Sequence, residues 1–285
     1  MDTKKTVLSL FFLLAGSLSL FSQDLSERIG VCTSVKNAPA MQKAGCSYVE
    51  IGINGFLIPD KPDTDFAANL KDASEAVLPL YSGNIFFPGE IKLTGPEVNQ
   101  ETVLRYTETA MRRAKQVGVK IAVLGSGKAR AVEEGADRAE TVARFAGLCR
   151  EIALIAGKYD VVVVIEPLRR EETNFINTVR EGMEIVRAVN HPNLCVLADF
   201  YHMACVDEDA QALVEAGASL RHCHIAEKEK RTAPGVKGDD FTPYFKALKQ
   251  IGYQGNLSLE CQWTNFDEEV IPAVAEVKRQ IRSVY

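Results

Sequence analysis

The sequence predicts a single (β/α)8 barrel, and three observations carry that expectation. From residue 28 to the C-terminus, short β-branched runs alternate with longer stretches of helical period, as in a repeated strand–helix unit. Eight such runs can be counted, a number that suits a closed barrel, whereas open doubly wound sheets usually have fewer strands. No GxGxxG-type turn follows the first run, where a dinucleotide-binding sheet would carry one. The chain has 285 residues, 46% of them hydrophobic, enough to bury one large core. No Pro/Gly/Ser-rich linker or charge run divides it, so one domain is expected over 24–285.

Taken in order, the expected strands are 28–33, 48–53, 76–82, 119–124, 161–166, 194–199, 220–224 and 256–260. Between them the clearest helical stretches are 102–117, 138–158, 178–189, 207–216, 241–251 and 267–283. Gly157 is expected to close the second of these, and Gly238-Asp239-Asp240 to open the fifth, where an Asp can accept from free backbone amides.

The first residues follow another pattern. Lys4 and Lys5 precede an uncharged apolar run from Val7 to Phe21, then small or polar residues through Gln23. This is the layout of a secretory signal peptide over 1–23, with cleavage near Ser22 or Gln23 and a periplasmic or secreted product. The run is short and interrupted for a membrane span, so no stable span is expected after processing. Seven Cys make an odd count with no CxxC pair, and Cys32, Cys195, Cys223 and Cys261 fall inside apolar runs. Small buried side chains, rather than disulfides, are their expected role. A formal charge of −5 offers no general attraction to a phosphate backbone, which argues against a nucleic-acid partner.

A barrel places its chemistry at the C-terminal ends of the strands. The last four runs close on Glu166, Asp199, His224 and Glu260. Charged residues are seldom buried unless paired or coordinated, so four ligand-type side chains at four successive strand ends point to a metal site. Three carboxylates and one imidazole form a mostly oxygen set, suited to Mn²⁺ first and to Mg²⁺ or Co²⁺ next, and unlike the sulfur-rich sets of structural zinc.

The wording around these residues resembles the xylose isomerase-like barrel superfamily of sugar isomerases and epimerases, and in particular its ketose 3-epimerases. Glu166-Pro167-Leu168-Arg169-Arg170-Glu171-Glu172-Thr173, with Asn177-Thr178, is similar to that family's E-P-L-N-R-x-E-T…N-T stretch. Arg169 stands where Asn is usual. Asp199-Phe200-Tyr201-His202-Met203 resembles D-x-x-H-M, His222-Cys223-His224 resembles H-x-H, and Arg231 with Pro234-Gly235 resembles the R…P-G loop. The resemblance covers the fourth to eighth strands best. It implies a metal held by Glu166, Asp199, His224 and Glu260, proton transfer by Glu166 and Glu260 through an enediolate, and substrate contacts from Glu172, His202 and Arg231. The implied partner is a small sugar; a homo-oligomer stays open.

Rival readings share the fold. A metal-dependent dehydratase or lyase on a keto-sugar or inositol derivative remains an alternative. An abasic-site endonuclease needs a larger His-rich cluster than four His supply, and a non-catalytic sugar-binding protein has no use for the pair Glu166 and Glu260. In the N-terminal half the signals are weaker. Asn84, Phe86 and Phe87 are candidates to line the mouth, and Glu50 is either another or a surface charge. Gly125-Ser126-Gly127, beside Lys128 and Arg130, is a tight turn or a phosphate cradle. Trp263 stacks on a sugar face or packs in the core.

Overall fold

A computed structural model describes residues 24–285, so the leader expected over 1–23 lies outside the described residues. Eight parallel strands close into a barrel: β1 (Ile29–Cys32), β2 (Tyr48–Gly52), β3 (Leu80–Asn84), β4 (Ile121–Leu124), β5 (Val162–Ile165), β6 (Leu194–Asp199), β7 (Leu220–Ile225) and β8 (Asn256–Leu259). The ring is completed by β8 pairing with β1, Gly30 opposite Ser258. Around it lie α1 (Ala38–Ala44), α2 (Asp63–Glu75), α3 (Gln100–Val117), α4 (Arg138–Lys158), α5 (Val179–Val189), α6 (Phe200–Cys205), α7 (Gln211–Ala216), α8 (Thr242–Gln250) and α9 (Phe266–Arg282).

The structure departs from the sequence expectation at several points. The third strand begins at Leu80 because Ala76 ends α2, Val77 is 51% exposed, and Pro79 has no amide for a ladder. The stretch 207–216 is helical only from Gln211, since Asp207 takes a positive φ of 53° that a helix cannot hold. Gly157 lies inside α4 rather than closing it, and Tyr159 caps that helix. A Cβ at Gly157 would stand 3.1 Å from Asn193 Oδ1, so the glycine makes room for the residue that leads into β6. At the start of α8, Asp240 Oδ1 does accept from the Thr242 amide, at 2.9 Å.

Alternation along the strands divides the core. Ile121, Val123, Val164, Cys195 and Leu197 form a small cluster inside the ring, while Ala122, Leu124, Val163, Ile165, Val196 and Ala198 join the main cluster that the helices cover. Continuing the inner parity one step past Val164 and Leu197 aims Glu166 and Asp199 at the barrel axis. Register shifts at Val49/Glu50 and Val196/Leu197 lie in the strands that carry Glu50 and Asp199, where a bulge re-aims a side chain. All seven cysteines are free, and Cys205 ends α6. No helix among the described residues is long and apolar enough to cross a membrane.

Candidate active site

Glu166 directly follows β5, Asp199 closes β6, His224 lies one residue from the end of β7, and Glu260 directly follows β8. One ligand atom from each of these four falls within 4.8 Å of those from the others. His224 Nδ1 is the hub, 3.0 Å from Glu166 Oε1 and 2.8 Å from Glu260 Oε2. Asp199 is tied in through Arg231, whose Nη2 donates to Asp199 Oδ2 at 2.9 Å and to Glu260 Oε2 at 2.6 Å. Asp199 Oδ1 also accepts from the Tyr201 amide, so one carboxylate starts α6 and faces the site.

Crowding three carboxylates out of water has a visible electrostatic cost. Burial raises Glu166, and the nearby Glu260 raises it further. Burial lifts Asp199 to about 6 although Arg231 and His224 pull the other way. At Glu260 burial also opposes ionisation, but His224 and Arg231 outweigh it and bring the group down to about 2. A divalent cation suits such a set, because it relieves the mutual repulsion that two monovalent neighbours only partly offset.

Of the three expected substrate contacts, the structure draws in two. Arg231 also donates from Nε to the Glu260 carbonyl at 2.9 Å and lies over the Tyr201 ring, 4.7 Å from its centroid. His202 is buried; its Nδ1 accepts from the Arg169 amide at 3.2 Å, which leaves Nε2 as the N–H, and Nε2 has no hydrogen-bond partner. Burial brings His202 down to about 4, so the ring is neutral at pH 7. Glu172 stands outside this group, half-exposed, accepting from Arg169 Nε at 2.8 Å. The residue that replaces the usual Asn thus occupies the expected substrate-contacting carboxylate.

Several side chains matter more than the sequence suggested. Glu50 is fully buried and not a surface charge, accepting from His224 Nε2 at 2.9 Å and from His222 Nε2 at 2.7 Å. Its place two residues from Tyr48 within an apolar run was the available signal. Glu227, missed altogether, is fully buried just after β7. It accepts from the amides of Gly235, Lys237 and Gly238 and from Thr232 Oγ1. These bonds organise the loop in which Lys230 and Arg231 take positive φ values of 57° and 54°. Asn84 does reach the mouth, donating to Glu260 Oε1 at 2.8 Å, whereas Phe86 and Phe87 are buried and stacked 4.1 Å apart.

The glycine turn after β4 is a place of close approach. A Cβ at Gly125 would meet Glu166 Oε2 at 2.3 Å, and one at Gly127 would meet the Glu172 carbonyl at 2.6 Å. Arg130 is fully buried and donates to the carbonyls of Gly125, Glu166, Phe175 and Ile176, joining the loops after β4 and β5. Trp263 packs against Phe266, ring centroids 5.1 Å apart, at the edge of the main core.

An ion bound at His224 Nδ1 would bring a pH dependence with it. Burial disfavours its charge, but Glu50 and Glu260 outweigh that, and the metal-free imidazole keeps its proton well above pH 6.5. An ion binding at Nδ1 has to displace that proton, so affinity should rise with pH by about tenfold per unit until the metal-free group titrates. Calorimetric Mn²⁺ titrations between pH 6 and 8 check this; an affinity flat across that range contradicts it.

A family model described as xylose isomerase-like TIM barrel matches residues 39–284, nearly the whole described chain. The chain belongs to the xylose isomerase-like TIM barrel family. Among curated members of this family, it is 32% identical over 236 residues to the L-ribulose 3-epimerase of Methylomonas sp. (strain DH-1), a match covering 80% of this chain and 77% of that protein. It is 35% identical over 106 residues to the ketose 3-epimerase of Arthrobacter globiformis, covering 37% of this chain and 36% of that relative. The solved D-psicose 3-epimerase of Clostridium cellulolyticum H10, crystallised with D-tagatose, superposes with a TM-score of 0.74 at 20% identity over 90% of this chain and 99% of that one. That last likeness is one of fold.

Proposed function

We propose that the protein is a divalent-metal-dependent epimerase or isomerase of a ketose. The observation that carries this reading is the convergence of Glu166, Asp199, His224 and Glu260, from four successive strands, with both glutamates within 3.0 Å of His224 Nδ1. The names of the relatives support the substrate class. When bound by these four residues, an ion such as Mn²⁺ supplies a Lewis acid that polarises a carbonyl and acidifies the neighbouring C–H.

The chain's own residues supply the rest. Glu166 and Glu260 carry the proton off and back at the carbon beside the carbonyl, through an enediolate. The two carboxylates are not equivalent: burial and Glu260 raise Glu166, whereas His224 and Arg231 hold Glu260 down. His202, neutral, offers to a sugar oxygen an Nε2–H that makes no hydrogen bond and lies 3.5 Å from Asp199 Oδ2. Arg231 holds Glu260 and Asp199 in place and presents its guanidinium to the mouth.

Turnover of a ketose panel with added Mn²⁺ tests the reading: at least one ketose should convert to its epimer or its aldose without change of mass. Tight binding with no conversion would make the protein a binder, and loss of water would make it a dehydratase. Export is part of the same proposal, resting on Lys4, Lys5 and the apolar run after them. Mass spectrometry should find a mature N-terminus near residue 23, and an intact Met1 on the soluble protein contradicts it.

A further inference from the structure

We infer that Glu50 is a positioning residue, which keeps a proton on His224 Nε2 so that Nδ1 is the nitrogen given up to an ion, and so sets the affinity of the metal centre. The inference rests on the metal reading above.

Glu50 lies in β2, on the side of the ring across from Glu166 and Asp199, and takes no part in the four-residue cluster. Its carboxylate is surrounded by donors. Ser82 Oγ donates to Oε2 at 2.7 Å, Ser258 Oγ at 2.6 Å, and His222 Nε2 lies 2.7 Å from the same atom. Ser258 is itself 2.7 Å from Tyr48 Oη, so a chain of hydroxyls ends on Glu50. With Oε2 filled in this way, Oε1 is left facing a single group, His224 Nε2, at 2.9 Å.

The consequence follows from hydrogen-bond roles alone. An ionised carboxylate only accepts, so His224 Nε2 must carry a hydrogen. The same rule puts a hydrogen on Nδ1 in the metal-free ring; when an ion displaces it, the one remaining N–H is that on Nε2 and Nδ1 is the ligand nitrogen. Nδ1 is the atom within 3.0 Å of Glu166 and Glu260. Without Glu50 the buried ring would keep on that side only Cys32 Sγ, a weak acceptor 3.9 Å from Nε2, and could turn its proton toward the centre, where a cation has to bind. Partners of metal ligands act in this way in general, orienting the ring and raising its basicity.

Every donor to Glu50 comes from another strand: Ser82 from β3, His222 and His224 from β7, Ser258 from β8. The barrel wall therefore fixes the carboxylate, which in turn fixes the ligand.

The test is Mn²⁺ calorimetry on wild type, Glu50→Gln and Glu50→Leu, with ¹⁵N NMR of the histidine rings in the Mg²⁺-loaded wild type. Affinity should fall about 10-fold in Glu50→Gln, whose amide still offers a weaker acceptor, and about 100-fold in Glu50→Leu, which offers none. The NMR should show His224 protonated at Nε2 and bare at Nδ1, a measurement that needs no variant and stands if the leucine variant does not fold. Variants within twofold of wild type overturn the inference, as does a wild-type ring with its proton on Nδ1. Wild-type protein that takes up no Mn²⁺ overturns the metal reading and this inference with it. One Mn²⁺ in wild type with unchanged variants overturns this inference alone.

Discussion

Replacing Glu260 by Gln should abolish net inversion of the substrate carbon, and replacing Glu166 by Gln should do the same, each lowering turnover by about 10²- to 10⁴-fold. The expectation comes from their placement. They follow β5 and β8, strands on different sides of the ring, yet both reach His224 Nδ1. Inversion needs a proton removed from one face and returned to the other, which one carboxylate cannot do alone. In either variant the surviving carboxylate should still exchange the proton on its own face while metal remains bound, so exchange without inversion marks a two-base mechanism. Metal content has to be measured beside activity. Glu260 accepts at both oxygens, from Asn84 and from Arg231, and an amide can satisfy only one of them. Near wild-type inversion with metal in place would move the proton to another group, His202 being the first to examine.

Asp199→Ala should lose metal and activity together. The loss of affinity should exceed the roughly 100-fold that removing a ligand's partner costs, because a ligand oxygen itself is gone. The same change deletes the acceptor of the Tyr201 amide at the start of α6, worth about 1 kcal/mol of stability. Asp199→Asn separates the two effects: Oδ1 can still take the amide, while the negative charge toward Arg231 is gone. Metal-free Asp199→Asn should therefore keep the cap of α6, lose the contact to Arg231, and bind Mn²⁺ poorly. Full occupancy by elemental analysis in Asp199→Ala would remove Asp199 from the site.

The strands and the four clustered residues were legible in the sequence for a common reason. A charged or imidazole side chain at the end of an apolar run has few places to go, and the barrel rule says where the ends meet. Glu166, Asp199, His224 and Glu260 sit at such ends. Glu50 was ambiguous because it lies within its run, where only the closure of the ring shows that β7 and β8 bring His222, His224 and Ser258 against it. Glu227 was invisible, since its partners are loop amides whose positions no residue pattern announces. The short α6 was missed because its start is an N-cap made by a residue already read as a ligand, and the break at Asp207 is a matter of backbone angle. The partner of Glu172 was not legible either: its carboxylate accepts from Arg169 Nε, a contact within one loop that no residue pattern announces.

The central claim is metal-dependent proton transfer at the carbon beside a ketose carbonyl, and proton exchange with solvent tests it most directly. The protein is incubated in ²H₂O with a panel of ketoses, with and without Mn²⁺, and read by NMR. The account predicts that at least one ketose exchanges the proton on carbon 3 or carbon 1 for deuterium when Mn²⁺ is present, and that exchange stops when the ion is chelated. No exchange in any ketose with Mn²⁺ bound, or exchange that persists undiminished without metal, contradicts it.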